Sequence, residues 1–330
     1  MSITLTPSEA TGLIQALSPK DQPLFIWGAP GIGKSSIVHQ ANGPVLDIRL
    51  SYYDPVDLHG LPIVKDGAVE FATPALLPRD GEGIIFLDEL PNAARAVQSA
   101  ALQLCLDRKL GEYQVPDGWQ IIAAGNRLSD RAGVNPLISS LAARFTHIEL
   151  EADINDWSVW ALQNSIPTEV VAFIRFRREL LHDFDPAQKV SPNPRGWEFV
   201  SRLLGKGLPE KVQTAAITGT VGEGAAAEFA AFLRVWGSLP SVDEILLDPS
   251  RADVPTEPAT LYALAGALAN AANPDRLSGI LTYLDRLPPE FSVFGTQAIF
   301  SKAKADGTDG ALRKTSAFVN WAVSHQDVIL

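Results

Sequence analysis

Gly28-Ala29-Pro30-Gly31-Ile32-Gly33-Lys34-Ser35 constrains this chain more than any other stretch. A glycine, four residues and then Gly-Lys-Ser make a phosphate-binding loop pattern when a strand precedes and a helix follows. Both flanks fit. Residues 23–27 form a short apolar run expected as a buried strand, and residues 33–40 are expected to open a helix. Glycines let successive backbone N–H groups curl around phosphate, and the helix start adds unpaired donors. In such a loop Gly28 to Ser36 line the phosphates, Lys34 reaches the β- and γ-phosphates, and Ser35 offers its hydroxyl to Mg²⁺.

The second signal is Gly83-Ile84-Ile85-Phe86-Leu87-Asp88-Glu89. Four consecutive apolar residues suit a parallel strand covered on both faces. Two carboxylates then fall at its C-terminal end, where open α/β sheets bind ligands. Asp88 is the expected Mg²⁺ holder, together with Ser35, and Glu89 the expected activator of water. A third apolar run, residues 120–125, ends on Asn126, which could orient water or touch the γ-phosphate.

Between these signals the chain is read in order. Thr6 caps a helix to about Leu17, with Pro7 at its first position and Glu9 at its third. Residues 45–50 alternate as a strand, and residues 51–62, rich in Asp, Pro, Gly and Tyr, read as loop. Asp66-Gly67 between apolar runs signals a hairpin over residues 63–71. Residues 93–108 read as a helix with Val97, Ala101, Leu104 and Leu106 available for burial. A second hairpin is expected over residues 109–116, a helix over 136–144 and an outer strand over 145–150. Beyond residue 150 the pattern is helical: 155–162, 168–182, 195–204, 210–218, 224–235, 259–270, 274–286, 297–305 and 310–325. Trp236 and Trp321 are expected as core anchors.

Composition narrows the classes. The 330 residues carry a formal net charge of −11 and no Lys/Arg block, which argues against tight nonspecific nucleic-acid binding. The lone cysteine, Cys105, excludes an intrachain disulfide and a cysteine-based zinc site, and it sits in an apolar run as a core residue would. His59 has no second histidine nearby and reads as a loop-packing or pore residue rather than a metal ligand. Residues 1–6 lack the charged and apolar regions of a secretory signal, and residues 261–272 are too short to span a bilayer. The expectation is a cytoplasmic protein.

Taken as an ordered set, these motifs resemble an AAA+ ATPase of the MoxR-like family, near its CbbQ/NorQ-type branch. The matching pieces are Gly28 to Ser35 (Walker A), Ile84 to Glu89 (Walker B), Asn126 (sensor 1), Leu141 to Phe145 (arginine-finger segment) and Ser191-Pro192-Asn193-Pro194-Arg195 (sensor 2), over roughly residues 1–205. Two departures stand out: Ala143 occupies a position often acidic in the family, and the segment before Arg195 carries an extra Pro-Asn spacing.

The resemblance implies an α/β P-loop NTPase core over residues 1–150, an all-α lid over 151–205 and a helical extension over 206–330. It implies ATP and Mg²⁺, and a ring, commonly a hexamer. Glu89 and Asn126 would come from one subunit, Arg144 from its neighbour as the finger, and Arg195 from the lid as a γ-phosphate sensor. Arg131, also following sensor 1, is a rival to Arg144. A separate partner chain with a von Willebrand factor A domain is also implied, because its Asp-x-Ser-x-Ser motif is absent here. The alternatives are a GTP-driven motor of the same superfamily and a nucleotide-dependent scaffold with little turnover.

Overall fold

The computed structural model describes residues 3–41, 43–130 and 135–324. Arg131, the rival finger, lies outside the described residues. The chain divides into two compact units, Met1–Ala152 with Asp185–Ala187, and Asp153–Phe184 with Gln188–Leu330.

Capping opens the first unit. Strand β1 (Thr4–Leu5) leads into α1 (Pro7–Ala16), where Thr6 and Glu9 close a capping box around Pro7 at the first turn, as expected. Then follow β2 (Leu24–Trp27), α2 (Lys34–Gln40) and β3 (Val45–Arg49). The stretch expected as loop contains α3 (Pro55–His59). Asp54 caps it with Asp57 at the third position and Pro55 at the first, so the Asp and Pro that suggested a loop are helix-start residues instead. His59 Nδ1 lies 3.0 Å from the Pro55 carbonyl, a packing role.

Strands β4 (Leu61–Lys65) and β5 (Ala68–Ala72) form the expected hairpin, with Asp66 and Gly67 both at positive φ, 52° and 77°. Then come β6 (Glu82–Asp88), α4 (Arg95–Asp107), the short pair β7 (Lys109–Leu110) and β8 (Tyr113–Gln114), β9 (Gly118–Gly125), α5 (Ser139–Ala142) and β10 (Thr146–Leu150). Leu106 departs from expectation: it lies on the outer face of α4 and is 48% exposed. The helix expected over 136–144 shrinks to the four residues of α5.

Six strands make one parallel sheet in the order β1-β10-β2-β9-β6-β3. Strand β10 is not an outer strand, because the two-residue β1 pairs along it. Helices cover both faces. On one, Ile14 of α1 and Ile37 and Val38 of α2 pack on Ile26, Phe86 and Ile122. On the other, Val97, Ala101 and Leu104 of α4, Cys105 and Leu141 pack on Phe25, Ile85 and Ile121. Buried on both faces, the central strands read as continuous apolar runs.

Among its described residues the second unit is all helix: α6 (Ile154–Gln163), α7 (Thr168–Phe176), α8 (Pro194–Leu204), α9 (Glu210–Val221), α10 (Glu223–Gly237), α11 (Val242–Leu247), α12 (Pro258–Ala271), α13 (Leu277–Leu284), α14 (Pro289–Ala305), α15 (Asp309–Arg313) and α16 (Ser316–Ser324). Helix α12 runs through its middle, with Leu261 to Gly266 buried. Trp197 of α8 is fully buried and donates its indole N–H to the Leu180 carbonyl at 2.6 Å. Trp321 is buried and Trp236 half-buried, its ring 3.0 Å from where a Cβ on Gly266 would sit. The helix expected over 168–182 stops at Phe176, and that over 310–325 breaks where the Thr315 hydroxyl accepts the Phe318 N–H and caps a new start. No described helix is long and apolar enough to cross a membrane.

A parallel sheet layered between helices, carrying the Gly-rich loop between its β2 and α2, is the architecture of a P-loop NTPase core, here followed in the chain by an all-helical region.

Candidate functional site

Three sheet-centre strands, β2, β9 and β6, lie side by side and end at one edge. Each delivers one sequence motif there. From β2 the chain enters the Gly28–Gly33 turn, tied to β9 by the Gly28 N–H donating to the Gly125 carbonyl at 3.3 Å. Gly33 sits at φ 106°, a left-handed conformation that an L side chain would strain, so the loop can close directly onto α2.

Lys34 is nearly buried, at 9% exposure. Its ammonium donates to the carbonyls of Gly28 (2.7 Å) and Ala29 (3.0 Å) and to Asn126 Oδ1 (2.8 Å). The lysine therefore folds over its own loop and joins it to the end of β9. Ser35 Oγ donates to Asp88 Oδ2 at 3.3 Å. Asp88 Oδ1 accepts the Glu89 N–H at 2.9 Å. Burial pushes the Asp88 carboxyl above the usual carboxylate range; the Glu89 N–H opposes this, Asp47 adds to it, Lys34 opposes it and Glu89 adds to it. Among the described residues Asp88 has no ion pair. A buried carboxyl beside a hydroxyl fits one or two positions of a Mg²⁺ shell. No group of three or more His, Cys, Asp or Glu among the described residues could hold a metal alone, so the remaining positions would fall to water and phosphate oxygens.

Glu89 adopts φ 56°, ψ 29°, uncommon for a residue with a side chain and typical of functional turns. Its carboxylate accepts the Ser51 hydroxyl at 2.5 Å and faces the Arg49 guanidinium at 3.8 Å. Arg49 is held charged by the Tyr52 hydrogen bond above all; burial, the next-largest influence, opposes it, and Asp88 and then Glu89 add smaller support. Neither Ser51 nor Arg49 stood out in the sequence. The parallel register that sets Arg49 opposite Asp88 brings them in.

Asn126 is positioned from two sides. A Cβ on Gly125 would lie 2.4 Å from Pro91 Cγ, so only glycine lets β9 pass the turn after Glu89. Beyond Asn126, Asp130 is buried and accepts the Arg127 N–H at 2.9 Å and its guanidinium at 3.0 Å, while Glu149 accepts Arg127 at 2.6 Å. The Asn-Arg-x-x-Asp spacing was the available signal for this clamp.

The structure thus brings together Gly28 to Ser36, Asp88, Glu89 and Asn126. It leaves Arg144 apart. Arg144 is exposed, forms no ion pair among the described residues, and precedes β10 at the edge where the sheet strands begin. There it lines a shallow cavity of about 320 Å³ with Lys20, Cys105 and Arg108. The β10 residue level with Trp27 is Glu149. From residue 144 to residue 149 an extended chain climbs about 16 Å at roughly 3.3 Å per residue. Arg195 is exposed in the first turn of α8, behind Asn193, whose side chain accepts the Gly196 N–H at 2.9 Å. It belongs to the second unit.

No protein-family model matches the chain. Among solved structures, it is similar to NtrX from Brucella abortus in complex with ATP at 15% identity, covering 100% of this chain and 70% of that one, with a TM-score of 0.35. It is also similar to a RuvB variant from Thermotoga maritima at 17% identity, covering 85% and 83%, with a TM-score of 0.35.

Proposed function

We propose that this chain is a Mg²⁺-dependent ATPase of the MoxR-like AAA+ family that works as a ring, commonly a hexamer, on a separate protein partner. The observation that carries the reading is the joining of Lys34, Ser35, Asp88, Glu89 and Asn126 at one sheet edge while Arg144 stands at the other. A finger that cannot reach its own phosphate loop can serve a neighbour's.

The residues then take these roles. Lys34 leaves the Gly28 and Ala29 carbonyls for the β- and γ-phosphates of ATP, which replace the acceptors it now holds. The backbone of Gly28 to Gly33 cradles those phosphates. Ser35 and, through water, Asp88 would hold Mg²⁺, which would neutralise charge between the phosphates. Glu89, released from Ser51, accepts a proton from the attacking water, and Asn126 orients that water. Arg144 from the adjacent subunit stabilises transition-state charge. Arg195 senses the γ-phosphate from a lid over residues 151–205. Residues 206–330 serve as an extension, and lid motion on hydrolysis drives work on the partner, for which a von Willebrand factor A domain is our candidate.

Turnover per subunit is expected to rise with protein concentration as rings form, and to vanish in Arg144→Ala. A monomer that turns over ATP at a concentration-independent rate would defeat the ring; preferential use of GTP in competition would replace ATP by the GTP-driven alternative.

A further inference from the structure

His147 is a residue that neither the motifs nor the proposed mechanism uses, yet it touches both ends of the machinery in this unit. Its Nδ1 lies 2.8 Å from Trp27 Nε1, and its Nε2 lies 2.8 Å from the Ala142 carbonyl. The indole nitrogen can only donate and the carbonyl can only accept. The chemistry therefore assigns the tautomer: Nδ1 accepts from Trp27 and Nε2–H donates to Ala142. Trp27 is the residue before Gly28 of the phosphate loop. Ala142 lies two residues before Arg144.

The Ala142 carbonyl also accepts the Phe145 N–H at 3.3 Å, and the Arg144 N–H donates to Leu141 at 3.0 Å. Together these bonds close the turn that carries Arg144. Phe145, 4% exposed, anchors the far side of that turn edge-on to Phe25 at 5.3 Å. His147 itself packs near-parallel to Trp27 at 6.0 Å and beside Phe25 at 5.5 Å. The imidazole is thus a strut with one hydrogen bond at each end, laid along the aromatic face of β2 and β10.

We propose that His147 is a positioning residue for Arg144: it fixes the turn that presents the finger to the neighbouring subunit, using the strand that enters its own phosphate loop as the support. This rests on the reading of Arg144 as a finger acting in trans. An exposed arginine on a four-residue helix end has little else to hold it, and finger catalysis depends on placement at the ångström level.

The test separates the two sides of a composite site. His147→Phe keeps the ring stack and loses both hydrogen bonds. His147→Asn can still accept from Trp27 but does not reach Ala142, and His147→Gln can present an amide N–H to Ala142. We expect His147→Phe and His147→Asn to lower kcat by about tenfold to a hundredfold with KM for ATP nearly unchanged, and His147→Gln to recover most of the loss. Co-expressed mixed assemblies then decide where the defect lies. Glu89→Gln subunits carry an intact finger, so they should restore turnover when assembled with His147→Asn subunits. Arg144→Ala subunits should not, because both defects lie on the finger side. Restoration by Arg144→Ala, or a loss confined to KM, overturns the proposal by placing His147 with the phosphate loop. The control mixture of Glu89→Gln with Arg144→Ala tests the underlying reading separately: if it restores nothing, the finger in trans fails and this proposal with it; if it restores turnover while His147→Asn equals wild type, only the proposal fails.

Discussion

Replacing Asp130 by alanine should unfasten the loop after Asn126, and the cost can be worked from its contacts. The carboxylate is 4% exposed and accepts from the Arg127 backbone N–H at 2.9 Å and its guanidinium at 3.0 Å. Burial works against the Arg127 charge, and hydrogen bonds to Asp130 and then Glu149 outweigh it, leaving the guanidinium more basic than usual. Removing one partner of a fully buried pair costs about 3–5 kcal/mol. Here the arginine side chain is 34% exposed and keeps Glu149, so part of that cost is screened by solvent. A loss of about 2–3 kcal/mol follows, counting a charged hydrogen bond at roughly 1.5–3 kcal/mol. For a unit of about 150 residues this lowers the melting temperature of the first transition by about 4–12 °C. Because Asn126 immediately precedes the clamp, kcat should fall at temperatures well below that transition. Calorimetry on wild type and variant, with phosphate release at 20 °C, reads both. A melting shift without loss of kcat would refute the link to Asn126, and no shift would refute the energetic reasoning itself.

Other expectations are independent of that clamp. Gly125→Ala puts a methyl 2.4 Å from Pro91 Cγ and must displace either β9 or the turn after Glu89, so turnover should fall sharply with a stability loss of about 1–3 kcal/mol, read by denaturant titration. Burial pushes the Cys105 thiol up to about 12. Folding thus favours the protonated thiol; that contribution is complete below the ordinary value of 9.0 and is lost as pH rises through about 12, whereas Cys105→Ala should show no such loss between those limits. Native protein at pH 8 should accordingly react with a disulfide reagent only after unfolding, then release one equivalent, since the chain has one cysteine. Val97→Ala on α4, fully buried against the sheet, should lower stability by roughly 1–3 kcal/mol while leaving KM for ATP unchanged.

The sheet centre was legible because burial on both faces writes continuous apolar runs, and because glycine, lysine and carboxylate fall where those runs end. Gly28 to Ser36, Asp88, Glu89 and Asn126 could therefore be placed at one edge before any contact was known. Short elements were harder. The Asp and Pro that start α3 carry the same signal as a turn, and a two-residue strand such as β1 has no periodicity at all. The supporting residues were invisible for a different reason: Ser51 and Arg49 reach Glu89, and His147 reaches Trp27, only through strand register, which one strand's sequence does not state. In the second unit, alanine-rich helices showed their existence but not their ends; α14 begins eight residues before its expected start at Gln297 because Pro289 and Glu290 form its first turn.

The central claim is that Lys34 binds the phosphates and Glu89 spends them. Phosphate release from ATP with Mg²⁺, measured beside equilibrium ATP binding for wild type, Lys34→Ala and Glu89→Gln, tests it most directly. The account predicts binding and turnover in wild type, neither in Lys34→Ala, and binding without turnover in Glu89→Gln. Turnover in Glu89→Gln equal to wild type, or ATP binding undiminished in Lys34→Ala, would contradict it.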